Sequence, residues 1–167
     1  MDRRRLLARF SVAGVAAQML AGQQARAQER ASGGDLVRRF AATLSAHDID
    51  AFAALFADDY VNHQSSAAAP PPPAAVAPKQ ATVGFFAGRL KGLPDLKVTI
   101  EASLASGDMA AASFVYEGTQ TGVYLGVPPT GRRLRFTSCD IFRVADGRIA
   151  EHWGMGDIAG VKAQLAR

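Results

Sequence analysis

The chain has 167 residues, 19 of them basic and 15 acidic, for a formal net charge of +4, and 49% are hydrophobic. Its single cysteine, Cys139, excludes an internal disulfide framework and a zinc site built on cysteines. Five of the basic residues (Arg3, Arg4, Arg5, Arg9, Arg26) and one acidic residue (Asp2) lie in the first 27 positions, which leaves fourteen of each sign in the remaining 140. The positive balance is therefore no sign of a nucleic-acid-binding face, which needs basic residues on the folded domain.

Residues 1–27 read as an export signal: a basic start, a moderately apolar stretch from Phe10 to Gly22, and the small-residue pattern Ala25-Arg26-Ala27. Arg3-Arg4-Arg5-Leu6-Leu7 resembles a twin-arginine signal, with ordinary secretion as the alternative. The stretch falls short of the roughly 20 apolar residues of a permanent span. The expected location is periplasmic or secreted, with no stable membrane span.

Residues 28–34 read as a polar leader. Leu36, Val37, Phe40 and Leu44 stand at helical spacing in 35–46, with Asp35 as a cap. Asp48 caps a second predicted helix over 48–56 that buries Phe52, Leu55 and Phe56 and runs out at Asp58 to His63. Residues 67–78 contain four consecutive prolines, Pro70 to Pro73, and read as a stiff exposed loop. A third helix is predicted over 79–90, with Val83, Phe86 and Leu90 on one face.

The second half is strand-like. Leu96, Val98, Ile100, Ala102 and Leu104 alternate with polar residues, and Gly107-Asp108 marks a turn. Further strands are predicted over 109–120, 132–144 and 148–155. A Gly/Pro-rich connection covers 121–131, Asp146-Gly147 is a tight hairpin signal, and a short helix follows from Asp157. The expected domain, 35–167, is α+β: a curved antiparallel sheet with three N-terminal helices packed on its concave face. Such a sheet leaves a hollow suited to a small ligand.

Parity along 132–144 puts Leu134, Phe136, Ser138, Asp140, Phe142 and Val144 on one face. Asp140 is a carboxylate among apolar residues, where an ionised group needs a partner. That is a setting in which a carboxyl exchanges protons near neutral pH. Phe114, Tyr116, Gly118 and Gln120 share a face of the preceding strand, with Gln120 expected at the mouth of the hollow. His63, beside Asn62, is a candidate base or hydrogen-bond donor. Parity aims Trp153 into the hollow with Ile149, Glu151 and Met155, and aims His152 the other way unless a bulge rotates it. Phe86 is a candidate wall residue. No metal-ligand spacing, nucleophile elbow, phosphate loop or dinucleotide fingerprint is present, so no metal and no cofactor are expected.

The run Gly118-Thr-Gln-Thr-Gly-Val-Tyr-Leu-Gly-Val-Pro-Pro-Thr-Gly131, then Asp140-Ile-Phe-Arg143 and Asp146-Gly-Arg-Ile-Ala-Glu-His-Trp-Gly154, resembles the SnoaL-like polyketide cyclases, also called ester cyclases. Tyr60-Val-Asn-His63 matches as well. The resemblance implies a cone-shaped nuclear transport factor 2-like fold, a homodimer, and ring closure by intramolecular aldol condensation without metal or cofactor. It implies that Asp140 moves the proton and that histidines line the pocket. Where the family usually reads Gly-Thr-His-Thr-Gly, this chain carries Gln120. The expected function is acid/base chemistry on a small apolar carbonyl compound, with Asp140 and His63 as catalytic residues. Gln120, Asn62, Tyr116, Phe86, Trp153 and His152 are expected to contact the ligand. The alternative is a periplasmic small-ligand-binding protein of the same fold without turnover.

Overall fold

The computed structural model describes residues 12–64 and 73–167, with side chains described from residue 18 to 24 and again from 33 onward. Residues 1–11, the basic start of the expected export signal, and 65–72, with the first three prolines of the four-proline run, lie outside the described residues. The elements are α1 (Val12–Ser45), α2 (Ile49–Ala53), β1 (Phe56–Asn62), α3 (Pro78–Gly92), β2 (Lys97–Ser106), β3 (Met109–Thr119), β4 (Arg133–Ala145), β5 (Arg148–Gly156) and α4 (Ile158–Ala166).

The sheet is open, in the order β1-β5-β4-β3-β2. β2 to β5 form the antiparallel meander read from the alternation, and Asp146 (φ 49°) and Gly147 (φ 72°) close its last hairpin in the left-handed conformation that tight turns require. The sheet is nonetheless mixed rather than purely antiparallel, because β1 adds to its edge parallel to β5.

That strand corrects the reading of 48–56 as one helix. The helix stops at Ala53, and Phe56 opens β1. Phe56 and Tyr60 are both buried, and a separation of four puts two residues on one face of a strand as well as on one face of a helix, so their spacing does not tell the two apart. The polar leader is corrected as well: 28–34 belongs to α1. Gly33 lies so close to the sheet that a Cβ there would stand 3.2 Å from the Cβ atoms of Ala105 and Ala110.

α1 and α3 cover one face of the sheet. Phe40 of α1 sits at the centre of the core, with ring centroids 5.0–5.6 Å from Phe52, Phe86, Phe114 and Phe142. α3 begins with Pro78 at its first turn, where a missing N–H costs nothing. Thr82, Phe86, Arg89 and Leu90 form its buried stripe. Among the described residues no helix covers the opposite sheet face over β2, β3 and the middle of β5, and there Leu104 and Met155 are 67% and 78% exposed. Among the described residues no helix is long and apolar enough to cross a membrane.

Candidate active site

β4 alternates as expected and turns Ser138 and Asp140 toward the helices. Asp140 is only 6% exposed. Its Oδ1 lies 2.8 Å from His152 Nε2, and its Oδ2 accepts from Ser138 Oγ at 2.5 Å. His152 reaches it because β5 bulges. Arg143 pairs with Glu151 but Val144 pairs with Ile149, so Ala150 is the extra residue that shifts the parity of the strand. Ile149 and His152 both face inward, while Glu151, Trp153 and Met155 face out. The expected orientations of His152 and Trp153 are thus exchanged.

Gly154 pairs with Asp140 across the β4–β5 ladder. A Cβ there would stand 2.5 Å from Asp140 Oδ1 and 2.6 Å from His152 Nε2, so only glycine leaves room for the Asp–His contact.

The network extends away from the carboxylate. Tyr60 Oη lies 3.2 Å from His152 Nδ1, Thr82 Oγ1 donates to Tyr60 Oη at 3.4 Å, and Asn62 Nδ2 donates to Thr82 Oγ1 at 3.2 Å. One proton arrangement satisfies the whole chain: Asn62 gives to Thr82, Thr82 to Tyr60, Tyr60 to Nδ1, and Nε2–H to Asp140. On the other side Ser138 has one hydrogen, and the carboxylate is its stronger acceptor. Tyr116 Oη, 3.4 Å from Ser138 Oγ, then donates to Ser138. Two chains of donors therefore end on the two oxygens of Asp140 and hold it in one orientation.

Burial pushes the Tyr60 hydroxyl up to about 12, against a smaller lowering by the Thr82 hydrogen bond. Burial likewise raises Tyr116. Both tyrosines remain donors at neutral pH. For Tyr60 the sign is that of a raised group: its contribution is complete below pH 10 and is lost as pH rises toward 12, because the unfolded chain ionises first. A shift of this size corresponds to about 3 kcal/mol. Denaturant unfolding followed across that range is expected to show stability falling with pH, with a shallower fall in Tyr60→Phe.

Several expected site residues lie elsewhere. His63 is on the outward face: its Nε2 binds Glu151 Oε2 at 2.7 Å, and its ring stacks on Trp153 at 4.4 Å and 4°. His63 first, with Arg143, holds the Glu151 carboxyl below its ordinary range. His63 and Trp153 form an outer pair and do not meet Asp140. Gln120 is fully buried, but its polar atoms are taken by its own loop. Nε2 donates to the carbonyls of Gly122 (2.7 Å), Val127 (3.2 Å) and Pro128 (2.9 Å), and Oε1 accepts from Thr130 N and Oγ1. It braces the 120–131 loop and leaves nothing for a ligand at the mouth. Asn62 sits at the far end of the relay, with Oδ1 accepting from Gln64 N. Tyr116 and Phe86 lie inward as expected.

Tyr60, Thr82, Ser138, Arg89 and Gly154 enter the site without having been anticipated. Two signals were available: Thr82 and Arg89 fall on the 82/86/89/90 stripe of α3, and a glycine inside a strand marks a close approach. Among the described residues no three His, Cys, Asp or Glu side chains cluster as metal ligands.

The family of SnoaL-like polyketide cyclases matches residues 34–165. Among solved structures, IdmH from Streptomyces antibioticus, described as a candidate polyketide cyclase, is 30% identical, with 81% of this chain and 99% of that chain covered and a TM-score of 0.68. TsrD from Streptomyces laurentii is 29% identical over 81% and 96% of the two chains, with a TM-score of 0.69. A candidate SnoaL-like polyketide cyclase from Jannaschia sp. CCS1, 23% identical over 82% and 93% with a TM-score of 0.67, shares the fold. No curated protein sequence matches the chain.

Proposed function

The chain belongs to the SnoaL-like polyketide cyclase family, and from that premise we propose that it is a cofactor-free acid/base enzyme acting on a small apolar carbonyl compound. Asp140 takes a proton from the carbon beside a carbonyl, and the resulting enolate is reprotonated elsewhere or attacks a second carbonyl to close a ring. One observation carries this reading: a buried carboxylate, held at both oxygens by donors, faces the covered side of the sheet. His152 orients Asp140 and supplies a polar neighbour, and the aromatic surroundings keep water away from the forming enolate.

The test is deuterium incorporation into acetophenone and related aryl ketones in heavy water, followed by mass spectrometry. Exchange above the buffer rate supports the enzyme. Binding without exchange points to the non-catalytic ligand-binding protein.

We further propose that two copies pair through the helix-free sheet face. That face carries Leu104, Ile141 and Met155 exposed around a shallow groove of about 220 Å³ lined in part by Ala111, Ser113 and Cys139. Its charges alternate in sign, with Arg135 3.8 Å from Glu117 and Arg143 bonded to Glu151, so the face can pair with itself about a two-fold axis. Light scattering is expected to give twice the chain mass, and Met155→Glu with Ile141→Lys to give the monomer.

Export with cleavage after Ala27 remains our proposal for the N-terminal segment. Residues 18–24 of α1 are exposed and Leu36, Val37 and Phe40, beyond the proposed cleavage point, are buried, so removal of the segment leaves these three core residues in the chain. The N-terminal mass of the protein recovered from the periplasm tests it.

A further inference from the structure

The acid/base account leaves one buried charge unused. Arg89, on the inner stripe of α3, is 4% exposed. Its guanidinium carbon lies 4.9 Å from the ring centroid of Phe85, 4.8 Å from Phe86, 4.7 Å from Tyr116 and 5.2 Å from Phe136. Its Nε donates to Tyr124 Oη at 3.1 Å. Its guanidinium fork also reaches the Tyr116 hydroxyl, lowering it by a hydrogen bond as well as by charge, and among the described residues no carboxylate lies within salt-bridge reach. No sealed side-chain nitrogen there lacks a partner, so a terminal nitrogen of Arg89 without one borders space that a water molecule can enter. The ring faces offset part of the cost of burying the cation, but the planar fork of N–H groups is left largely unused.

Its position relative to the carboxylate is informative. The ring of Tyr116 lies against the guanidinium, and its hydroxyl leads through Ser138 to Asp140. Arg89 and Asp140 pull the Tyr116 hydroxyl in opposite directions without pairing with each other. They are the buried arginine and the buried carboxylate of the described residues.

Resting on the acid/base reading, we propose that Arg89 is a further catalytic residue, the group that receives the enolate oxygens. The C–H bond beside the carbonyl breaks, its proton passes to Asp140, and its electron pair spreads onto the carbonyl oxygens facing Arg89. Before the step the negative charge is on Asp140, and afterwards it is on the enolate. Net charge in the buried site is unchanged, and the negative charge moves toward a cation that no carboxylate among the described residues neutralises. Two terminal nitrogens suit the two oxygens of a β-dicarbonyl enolate, held bidentately.

The test uses benzoylacetone, whose enolate has its own ultraviolet band. Wild-type protein is expected to lower the pH at which the bound diketone ionises, and Arg89→Met to abolish that shift and slow acetophenone exchange about 100-fold. Arg89→Lys keeps the charge without the fork and is expected to keep part of the shift. Asp140→Asn keeps the shift while losing exchange, so the two readings fail separately. The inference is overturned if wild type produces no shift, or if folded Arg89→Met retains it. Should Arg89→Met not fold, Arg89→Lys with unchanged shift and unchanged exchange overturns it.

Discussion

Asp140→Asn is expected to lower aryl-ketone exchange by about 10²–10⁴-fold, the usual contribution of a positioned general base, and to leave the thermal midpoint within a few degrees of wild type. The amide matches the carboxylate in shape and cannot take a proton at neutral pH. The hydrogen-bond pattern explains why the fold survives. Asn Oδ1 can accept from His152 Nε2–H, and Nδ2 can donate to Ser138 Oγ, which then turns its own hydrogen to Tyr116 Oη, 3.4 Å away. Tyr116 then loses the acceptor for its own hydroxyl hydrogen, a cost offset by the removal of a buried charge. Exchange measured beside a melting curve decides the matter. Retained exchange in a folded variant removes Asp140 from the chemistry, and a collapse of stability with retained exchange makes it a structural group.

Phe40→Ala is expected to be the most destabilising single truncation in the core, by about 3–5 kcal/mol. Phe40 is fully buried and meets Phe52, Phe86, Phe114 and Phe142 at once, in tilted, edge and stacked contacts. Rings held from α2, α3, β3 and β4 cannot all move into one vacated space, so a cavity remains. Against a total stability of about 5–15 kcal/mol, the variant is left marginal. The site should suffer too, because Phe142 stacks on His152 at 5.1 Å. Urea unfolding checks it, and a loss near 1 kcal/mol means that the neighbours collapse onto the gap.

Much of this protein was legible in local pattern. The alternation of β3, β4 and the first half of β2, the Asp146-Gly147 hairpin, α3 and the inward direction of Asp140 all follow from a period of two or of 3.6, whereas beyond the shift after Ile100 Leu104 faces outward instead of joining Val98 in the core. Two errors share one cause. At β2 and β5 a register shift breaks the period, so Leu104 turns outward and Trp153 takes the parity that belongs to His152. A bulge is created by pairing between strands, and the strand's own residues do not announce it. Gln120 was misread for a different reason. Its side chain answers carbonyls of its own loop, whose turns become visible only when the loop is folded.

By itself, then, the sequence determined the α+β class, the meander, the family and the carboxylate, because these rest on periodicity and on motifs continuous along the chain. Only the tertiary structure decided which groups meet that carboxylate. His152, Tyr60, Thr82 and Arg89 come from β5, β1 and α3, and the contact at Asp140 depends on one extra residue at Ala150 and one missing Cβ at Gly154. Contacts between segments distant in the chain depend on packing and register, which local spacing does not encode.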